Sequence, residues 1–542
     1  MPIAQHRPVS VVIVGAGPTG VVAAHLLAQR GIDVLLLERE AAPYPLPRAV
    51  HFDDETFRVF QAIGLHAEIA ARSRAIPGMQ LVDRSLRPVF ELPRRAESGP
   101  HGLPESSFFD QPELELVLRE GLARRPNVTL LARTEMEAIE QDRDDGPAPV
   151  RVTFRDRESG VLSEVWTQAV LACDGARSRT RGFVGVAMED LGFDETWLVV
   201  DVRSPAPFVA FPGVQQVCDP GRPSTYMPVL EDRHRWEFML MPGDVPAEMT
   251  RPERVRALVA PWLGDRDPST LELLRAAVYT FRSIVARPWR RGRVFLLGDA
   301  AHQTPPFLGQ GLCAGVRDAA NLAWKLALHL RGDADARILD SYESERRPHA
   351  RRVIHAAVRI GRSMTRGTPG RLAWQHRLAR AAGGLLGSDD LLAEHLFGRL
   401  GRGALVCPAR RRGDLAGRFL PQGPVTTRDG AEHLLDDALG TGFVVLGDGH
   451  APLGPPGAEE RSFWKRLDTR FVRVVASEAE ASAHASDETT TLVDRSGRIG
   501  AALAAGGAHA LLVRPDRTIL AAAPRPELAR WRTLLHEAGI GA

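Results

Sequence analysis

Residues 293–318 read RVFLLGDAAHQTPPFLGQGLCAGVRD, and this stretch sets the architecture of the chain. Its apolar, β-branched start, Val294–Leu297, predicts a buried strand that ends at Gly298-Asp299. A loop rich in proline and glycine follows, and alanines and leucines at helical spacing then predict a helix. Gly309 and Gly311 therefore lie at a helix N-terminus, where backbone N–H groups approach a ligand closely and favour negative charge.

The N-terminal region carries a second glycine-rich turn. Val9–Val14 predicts a strand, the turn contains Gly15, Gly17 and Gly20, and a helix then leads to a strand that ends at Glu38. This is the dinucleotide-binding pattern, in which glycines let the backbone approach a pyrophosphate and a carboxylate binds a ribose hydroxyl. An acidic residue at position 38 argues against a nucleotide whose ribose carries a 2′-phosphate. The pattern therefore predicts FAD or NAD, and not NADP, at this site.

Composition narrows the class of protein. At 542 residues, the chain is long enough for two or three domains, and 44% hydrophobic with 25% charged residues is typical of a globular protein. The net charge of +2 gives no reason to expect a nucleic-acid or membrane-surface partner. No stretch approaches the roughly 18 apolar residues that a transmembrane helix needs.

Cysteine usage predicts a cytoplasmic protein without a metal centre. The four cysteines lie far apart and form no C-x-x-C pair, so neither a zinc site nor a disulfide framework is indicated. A reducing compartment fits this pattern best.

The order of patterns predicts an α/β fold in four segments. Residues 1–190 form the first part of a Rossmann-like FAD-binding domain, and residues 191–285 form an inserted, mainly antiparallel sheet domain for the substrate. Residues 286–400 return to the FAD-binding domain and add helices. Residues 403–542 form a separate small α/β unit with a terminal helix.

Further segments bring polar residues to the ends of predicted strands. Arg48 lies in a strand-like segment where its charge could neutralise a pyrophosphate, and His51 and Asp53 share one face of that strand. A helix is predicted to begin at Gln111. Another strand is predicted to end in Asp174-Gly175. This is a second turn with an aspartate next to a glycine, like the one at residues 298–299.

With these motifs in order, the chain resembles the class A flavoprotein aromatic hydroxylases. Within that group it is similar to the 3-(3-hydroxyphenyl)propionate hydroxylases, which carry an R-A-[IV]-x-[IF]-D-D-E strand like Arg48–Glu55. The resemblance spans essentially the whole chain, including the Asn321–Leu326 helix and the Tyr342–Arg347 segment. It implies that the C-terminal unit is thioredoxin-like. Without C-x-x-C this unit has no dithiol chemistry, so a packing or dimer-interface role is predicted, and the protein is a candidate homodimer.

The resemblance also implies a set of FAD contacts. The ADP half is assigned to Gly15, Gly17, Gly20 and Glu38. The pyrophosphate and ribityl chain are assigned to Arg48, Gln111 and Asp299, and the isoalloxazine to the backbone of Gly309, Gly311, Leu312 and Cys313. Contact with both FAD and NAD(P)H is assigned to Asp174 and Gly175. Related sequences usually have Asn where this chain has Cys313, which we interpret as a small filler because no basic neighbour is evident.

The chemistry implied is hydride transfer from NADH or NADPH to FAD, addition of O2 to give a flavin C4a-hydroperoxide, and oxygen transfer to an electron-rich ring. His51 is the first candidate for assisting loss of the phenol proton, with a packed or FAD-orienting histidine as the alternative. Asp53 is a weaker catalytic candidate. Tyr226 either lines the ring pocket and contributes to catalysis or belongs to the core. Arg222 is a candidate for a substrate carboxylate, and Pro306 for a contact with the ring.

Three functions stay open on the sequence. The leading one is ortho-hydroxylation of a phenolic substrate such as 3-(3-hydroxyphenyl)propionate or 3-hydroxycinnamate. The second is the same reaction on a larger aromatic of polyketide type. The third, from a different class, is an FAD-binding protein without hydroxylase turnover. A plain NAD dehydrogenase is disfavoured because it leaves Gly298-Asp299 unexplained.

Overall fold

A computed structural model describes residues 4–46, 48–141, 149–206, 208–230, 232–366, 400–401, 403, 405–407, 415–450, 453–454, 457–483 and 489–541. The helices that the sequence predicts towards residue 400 therefore lie outside the described residues beyond Arg366, where α9 (Arg337–Arg366) ends.

A nine-stranded sheet forms the base of the molecule. Its main path runs β10-β11-β12-β2-β3-β9; β1 and β19 pair with β12, and β18 pairs with β19. The strands are β1 (Ala4–Gln5), β2 (Val9–Val14), β3 (Val34–Leu37), β9 (Val128–Leu131), β10 (Thr134–Glu140), β11 (Val150–Asp156), β12 (Leu162–Ala172), β18 (Arg290–Arg291) and β19 (Val294–Leu296). Strand β2 lies between β12 and β3, parallel to both, and Val11–Ile13 is fully buried. Burial on both faces explains the continuous apolar run.

Most of the helices that precede the C-terminal domain pack around this sheet, whereas the two short helices within residues 246–259 pack on the eight-stranded sheet. In chain order, these helices are α1 (Pro18–Ala28), α2 (Asp54–Ala62), α3 (His66–Ala70), α4 (Gln111–Leu122), α5 (Arg179–Phe183), α6 (Pro246–Met249), α7 (Pro252–Val259), α8 (Gly311–Arg331) and α9. Single 3-10 turns occupy Ala260–Trp262, Pro268–Thr270, Gly298–Ala300 and Pro306–Leu308. Helix α8 packs on α1, so the two helices that follow the glycine-rich turns lie side by side.

An eight-stranded sheet forms the second layer, in the order β20-β17-β13-β16-β15-β14-β6-β7. Its strands are β6 (Gly78–Val82), β7 (Pro88–Pro93), β13 (Ala187–Arg203), β14 (Val214–Val217), β15 (Ser224–Pro228), β16 (Arg233–Met239), β17 (Glu272–Arg287) and β20 (His302–Gln303). All neighbours pair antiparallel except β14 and β6. The sheet therefore includes β6 and β7, which precede residue 191, and β20, which follows residue 285.

A three-stranded sheet lies beside the two large ones. Its order is β4-β8-β5, formed by β4 (His51–Asp53), β8 (Ser106–Phe109) and β5 (Ser73–Ala75). The pairing of β4 with β8 brings the chain around residue 51 next to the segment that leads into α4.

The C-terminal sheet has the order β22-β21-β25-β24-β23-β26-β27. Its strands are β21 (Pro424–Thr426), β22 (Glu432–Leu434), β23 (Val444–Gly447), β24 (Arg470–Val475), β25 (Thr490–Asp494), β26 (Ala510–Val513) and β27 (Ile519–Ala523); its helices are α10 (Leu435–Leu439), α11 (Ala458–Arg466), α12 (Glu478–Ala483), α13 (Arg498–Gly506) and α14 (Leu528–Glu537). β23 is parallel to β24 and antiparallel to β26, which pairs antiparallel with β27. This is the thioredoxin-like arrangement that the resemblance implied.

Buried ion pairs join the C-terminal domain to the FAD-binding domain. The Arg58 guanidinium donates two hydrogen bonds of 2.8 Å to the Asp436 carboxylate, and both side chains are buried. Glu345 on α9 accepts hydrogen bonds from Lys325 on α8 and from Arg514, which follows β26. Among the described residues, no helix has the combined length and apolar character that crossing a membrane requires.

Candidate active site

A cleft of about 2290 Å3 runs between the nine-stranded sheet, the eight-stranded sheet and the C-terminal domain. Of the predicted cofactor contacts, those that line it are Gly15, Gly17, Glu38, Arg48, Gln111, Asp174, Gly175, Asp299, Gly309, Gly311 and Leu312. The candidates His51, Asp53 and Pro306 line it as well. Motifs that lie up to about 300 residues apart in the sequence therefore share one cavity.

The first glycine-rich turn has no room for a side chain at Gly15 or at Gly20. Gly15 has φ +100°, and a Cβ atom there would lie 2.4 Å from the carbonyl oxygen of Cys173. A Cβ atom on Gly20 would lie 2.0 Å from the carbonyl oxygen of Gly15. Gly20 thus lets α1 pack against the turn and does not line the cleft, whereas Gly17, at the N-cap of α1, borders it with no side chain capping the helix. The open helix N-terminus suits a pyrophosphate.

The Glu38 carboxylate is held at the end of β3. One oxygen accepts a hydrogen bond from Ala16 N at 2.8 Å, and the other accepts from Glu40 N at 2.9 Å. The side chain is only 9% exposed, and its exposed part faces the cleft. A carboxylate fixed beside a glycine-rich turn suits a ribose hydroxyl.

The Gln111 side chain holds the segment around Arg48 by hydrogen bonds to its backbone. Its side-chain oxygen accepts hydrogen bonds from Arg48 N at 3.1 Å and Ala49 N at 2.6 Å, while its nitrogen donates to Glu115. The Arg48 carbonyl in turn accepts from Arg235 on β16 at 2.6 Å. Gln111 therefore positions the segment, and the exposed Arg48 guanidinium, stacked over Tyr44, is one of the cationic groups that line the cleft.

The Asp174 carboxylate stabilises its own loop. It accepts hydrogen bonds from Ser178 Oγ, Thr180 N and Thr180 Oγ1, at 2.5 to 3.0 Å. Gly175 follows with φ +79° and lines the cleft. Arg181 donates hydrogen bonds to the carbonyl oxygens of Ala176 and Ala300, so it ties the two acidic-glycine turns together.

A buried network fixes the turn at Gly298. Asp318 on α8 accepts hydrogen bonds from Gly298 N at 3.1 Å, His302 Nε2 at 2.8 Å and Arg346 Nε at 2.9 Å. Burial works to raise the pKa of Asp318, but His302 and Arg346 outweigh it and lower that pKa. Asp299 is exposed to the cleft, and its carboxylate makes no hydrogen bond or ion pair to any described residue. Its acceptor oxygens are thus open to ligand hydroxyl groups.

The N-terminus of α8 presents unpaired donors. The first hydrogen bond of this helix runs from Ala314 N to Gln310 O at 2.9 Å, and no side chain caps it. The N–H groups of Gly311, Leu312 and Cys313 therefore have no acceptor within the helix. These donors suit an electron-rich, anionic ring edge.

His51 lies against the turn that precedes α8. Its Nδ1 is 3.2 Å from the carbonyl oxygen of Gly309, and its Nε2 is 3.1 Å from Ser106 Oγ on β8. Burial lowers the pKa of the His51 ring. A Cβ atom on Gly309, which has φ +63°, would lie 2.6 Å from His51 Nδ1. The ring therefore occupies the space that a side chain at position 309 would need.

Asp53 serves as a structural carboxylate. It caps α2 by accepting a hydrogen bond from Thr56 N at 2.9 Å, and it accepts another from Arg317 Nη2 at 2.6 Å. Burial opposes its charged form, yet Arg317 and Thr56 hold the pKa of Asp53 well below its ordinary value. A carboxylate so stabilised is a poor proton acceptor, which argues against a catalytic role.

The Cys313 side chain does not line the cleft. It is fully buried, its Sγ lies 3.8 Å from the carbonyl oxygen of Gly309, and burial raises its pKa to about 12. The thiol is therefore protonated and enclosed. This is the environment of a packing side chain.

The structure corrects two predictions of substrate contacts. Tyr226 lies between Thr225 and Met227, which line the cleft, and since side chains alternate along a strand it faces the opposite side. There it is fully buried, packs near Trp236, and its hydroxyl is 3.1 Å from His234 Nδ1. Arg222 pairs with Asp244 at 2.7 Å and is not among the lining residues.

One cluster outside the cleft combines possible metal ligands. Asp448, His450 and His509 bring one ligand atom each within 4.8 Å of one another on the C-terminal domain. The two rings are largely exposed, and His509 Nδ1 is already 2.5 Å from Asp448 Oδ2. The cluster has no contact with the cleft.

Sequence comparison agrees with this geometry. The family described as FAD binding domain matches residues 8–357, and the HcaD C-terminal domain matches residues 417–538. The 3-(3-hydroxy-phenyl)propionate/3-hydroxycinnamic acid hydroxylase of Escherichia coli strain HS is 34% identical over 531 residues, which is 96% of this chain and 93% of that protein. The enzyme of the same name from Shigella sonnei strain Ss046 gives the same values.

Solved structures share the whole fold. Aklavinone-11 hydroxylase with FAD and aklavinone superposes with a TM-score of 0.78 at 23% identity, covering 98% of this chain and 99% of that one. The anhydrotetracycline hydroxylase OxyS from Streptomyces rimosus gives 0.76 at 25% identity, covering 99% and 100%.

Fold and cleft together define a flavoprotein whose cofactor is FAD. The chain belongs to the class A flavoprotein aromatic hydroxylases and is similar over nearly its whole length to 3-(3-hydroxyphenyl)propionate hydroxylases.

Proposed function

We propose that this protein is an NAD(P)H- and O2-dependent monooxygenase that hydroxylates a phenol ortho to its hydroxyl group. The proposed substrate is 3-(3-hydroxyphenyl)propionate or 3-hydroxycinnamate, which the curated relatives at 34% identity act on by name. The observation that carries the proposal is that one cleft is lined both by the FAD motifs and by one face of the eight-stranded sheet.

The cleft residues divide between the parts of FAD. Gly15, Gly17 and Glu38 would hold the ADP half, with Gly20 allowing the turn to close. Arg48 and Asp299 would face the pyrophosphate and the ribityl hydroxyls, and Gln111 positions Arg48. The backbone donors of Gly311, Leu312 and Cys313 would face the isoalloxazine, and Gly175 contributes backbone where the nicotinamide nucleotide approaches. The unpaired donors and the open Asp299 carboxylate fit this assignment.

When bound and reduced by NAD(P)H, FAD activates O2 so that one oxygen atom enters the ring and the other leaves as water. The chain holds the ring and excludes water. Apolar side chains that line the substrate end include Met79, Leu81, Met227 and Phe281, and Pro306 and Phe307 border it from the loop before α8. His51 orients that loop through Gly309, and its lowered pKa keeps the ring neutral near pH 7.

A larger aromatic substrate is the second candidate. The cleft volume of about 2290 Å3 exceeds the roughly 300–1,000 Å3 that a pocket for one small ligand commonly encloses. The cavity also holds FAD, so the volume left for substrate is smaller than the total. Proteins of the same fold act on aklavinone and anhydrotetracycline by name.

The test is substrate-stimulated NADH and NADPH oxidation by the purified yellow protein, with product identification by NMR. The panel contains 3-(3-hydroxyphenyl)propionate, 3-hydroxycinnamate, simple phenols and polycyclic phenols. Stimulation by the first two with a catechol product supports the proposal. Stimulation only by polycyclic phenols supports the second candidate, and a yellow protein that no phenol stimulates supports a non-hydroxylating FAD-binding role.

A further inference from the structure

Three polar side chains form a row across the cleft face of the eight-stranded sheet. Gln216 on β14 pairs with Thr225 on β15, and Thr225 pairs with Glu237 on β16. Residues directly opposite each other on paired strands point to the same face, and all three line the cleft. They are 1%, 5% and 8% exposed respectively, so they form a polar row in a nearly buried part of the cleft wall.

Each of the three has hydrogen-bonding capacity that the described protein leaves unused. The Glu237 carboxyl and the Thr225 hydroxyl make no hydrogen bond or ion pair to any described residue. The Gln216 amide donates to the carbonyl oxygen of Phe307 at 3.0 Å, while its own Oε1 is buried without a partner. Buried polar groups are nearly always satisfied, and the Gln216 oxygen is enclosed without a partner, whereas the Glu237 and Thr225 side chains border the cleft, where a bound molecule can complete them.

Neighbouring charges do not supply the missing partners. In the next row, Arg235 donates to Asp201 at 2.7 Å, and Arg275 approaches the other Asp201 oxygen at 2.7 Å. These groups are paired with one another. Burial raises the pKa of Glu237, and Arg235 opposes that rise.

The row also reaches the loop beside the flavin site. Gln216 binds the carbonyl of Phe307, two residues before Gly309, so its end of the row lies next to the α8 N-terminus. A ring held between the sheet and this loop would present its substituents to Thr225 and Glu237. A hydroxyl group suits these partners because it donates and accepts, whereas a substrate carboxylate at the same place would be repelled by the Glu237 carboxylate.

We propose that Glu237, supported by Thr225 and Gln216, binds a hydroxyl group of the aromatic substrate and thereby positions the ring. Glu237 accepts the hydrogen bond from the phenolic O–H. This inference rests on the proposed function and adds which substrate group the sheet recognises. Loss of one such hydrogen bond corresponds to a roughly tenfold to hundredfold loss of affinity.

The experiment is calorimetric titration of the full-length FAD-loaded protein without NAD(P)H. The probes are 3-(3-hydroxyphenyl)propionate and 2-naphthol, each compared with its methyl ether, which cannot donate. The variants are Glu237→Leu, Glu237→Gln and Thr225→Val. The matched control is Glu272→Leu, which alters an exposed glutamate on the same sheet. The flavin absorbance per chain monitors folding of every variant.

The wild type and Glu272→Leu should prefer each phenol over its ether by roughly tenfold or more, and Glu237→Leu should remove that preference. Glu237→Gln should keep part of it because the amide oxygen still accepts, and Thr225→Val should reduce it. In turnover, KM should rise more than kcat falls. An unchanged preference in Glu237→Leu, or no preference in the wild type, overturns the inference. If only 2-naphthol binds and its preference depends on Glu237, the phenylpropionate substrate is wrong and the inference stands.

Discussion

His51 Nδ1 lies 3.2 Å from the carbonyl oxygen of Gly309, although 258 positions separate the two residues in the sequence. The contact joins β4 to the turn that begins α8. Because burial lowers the pKa of the ring, His51 is neutral near pH 7 and carries one N–H. With that proton on Nδ1, the ring donates to Gly309 and its Nε2 accepts from Ser106 Oγ.

Replacing His51 with alanine should loosen this turn and weaken FAD binding. One lost hydrogen bond corresponds to roughly a threefold to tenfold rise in Kd. FAD titration of the apoprotein, followed by fluorescence quenching, measures the effect. His355→Ala, at an exposed position on α9, is the control. A His51→Ala protein with unchanged FAD affinity and full turnover across pH would remove His51 from both binding and mechanism.

Gly309→Ala should destabilise the protein more than the substitution of a glycine whose Cβ position has no atom nearby. The new Cβ atom would lie 2.6 Å from His51 Nδ1, in addition to the strain at φ +63°. Gly332→Ala isolates the strain, because Gly332 has φ +80° and no atom within 4 Å of its Cβ position. That control should cost about 1–2 kcal/mol in urea unfolding, and Gly309→Ala should cost more and lose FAD. Equal effects at the two positions would mean that the His51 contact is unimportant.

The parts of the site that the sequence predicts well are those with a local pattern. Val9–Val14 folds as the strand that its apolar run indicates, and the turn after it has the crowding that only glycine allows. Gly298-Asp299 likewise ends a buried strand. In each case, the residues that determine the structure are neighbours in the chain.

The sequence does not predict which side chains from distant segments contact one another. Tyr226 lies on a predicted strand, but a strand pattern does not state which face borders a cleft, and the alternation places Thr225 there instead. The sequence makes Asp53 a candidate for catalysis, whereas its pairing with Arg317 depends on how α8 packs. In the sequence, Asp318 stands only at the end of the glycine-rich stretch, and its partner Arg346 comes from another helix.

Glu345→Ala should destabilise the protein by about 3–5 kcal/mol, because it leaves the buried Lys325 and Arg514 cations without their shared carboxylate. Guanidinium unfolding measures this, with Glu459→Ala at an exposed position as the control.

Burial works to raise the pKa of Glu345, yet Arg514 and Lys325 lower it to about 2. The stabilisation is therefore present above the unfolded pKa of about 4.3 and is lost as pH falls towards 2. A Glu345→Ala protein of wild-type stability would contradict this role.

Cys313 should resist alkylation in the folded protein. With its pKa raised to about 12 by burial, roughly one thiol in ten thousand is ionised near pH 8, and the side chain is not exposed. Iodoacetamide labelling followed by mass spectrometry should find the Cys313 peptide unmodified until denaturant is added. Rapid labelling of that peptide in the native FAD-loaded protein would show instead that the α8 N-terminus opens.

The contact between His101 and Asp54 should make stability fall as pH rises above about 6.5. His101 Nδ1 is 2.9 Å from Asp54 Oδ2, its ring meets Phe419 edge-on, and its carbonyl accepts from Gln422. Burial opposes the charged ring, but Asp54 outweighs it and raises the pKa of His101. The folded protein therefore binds the proton more tightly than the unfolded chain, so the stabilisation is complete below about pH 6.5 and is lost as pH rises through the folded pKa. Urea unfolding of the wild type and His101→Asn at a series of pH values tests this, and the two curves should converge at high pH. Curves that stay parallel would show that His101 acts through packing against Phe419 and not through its charge.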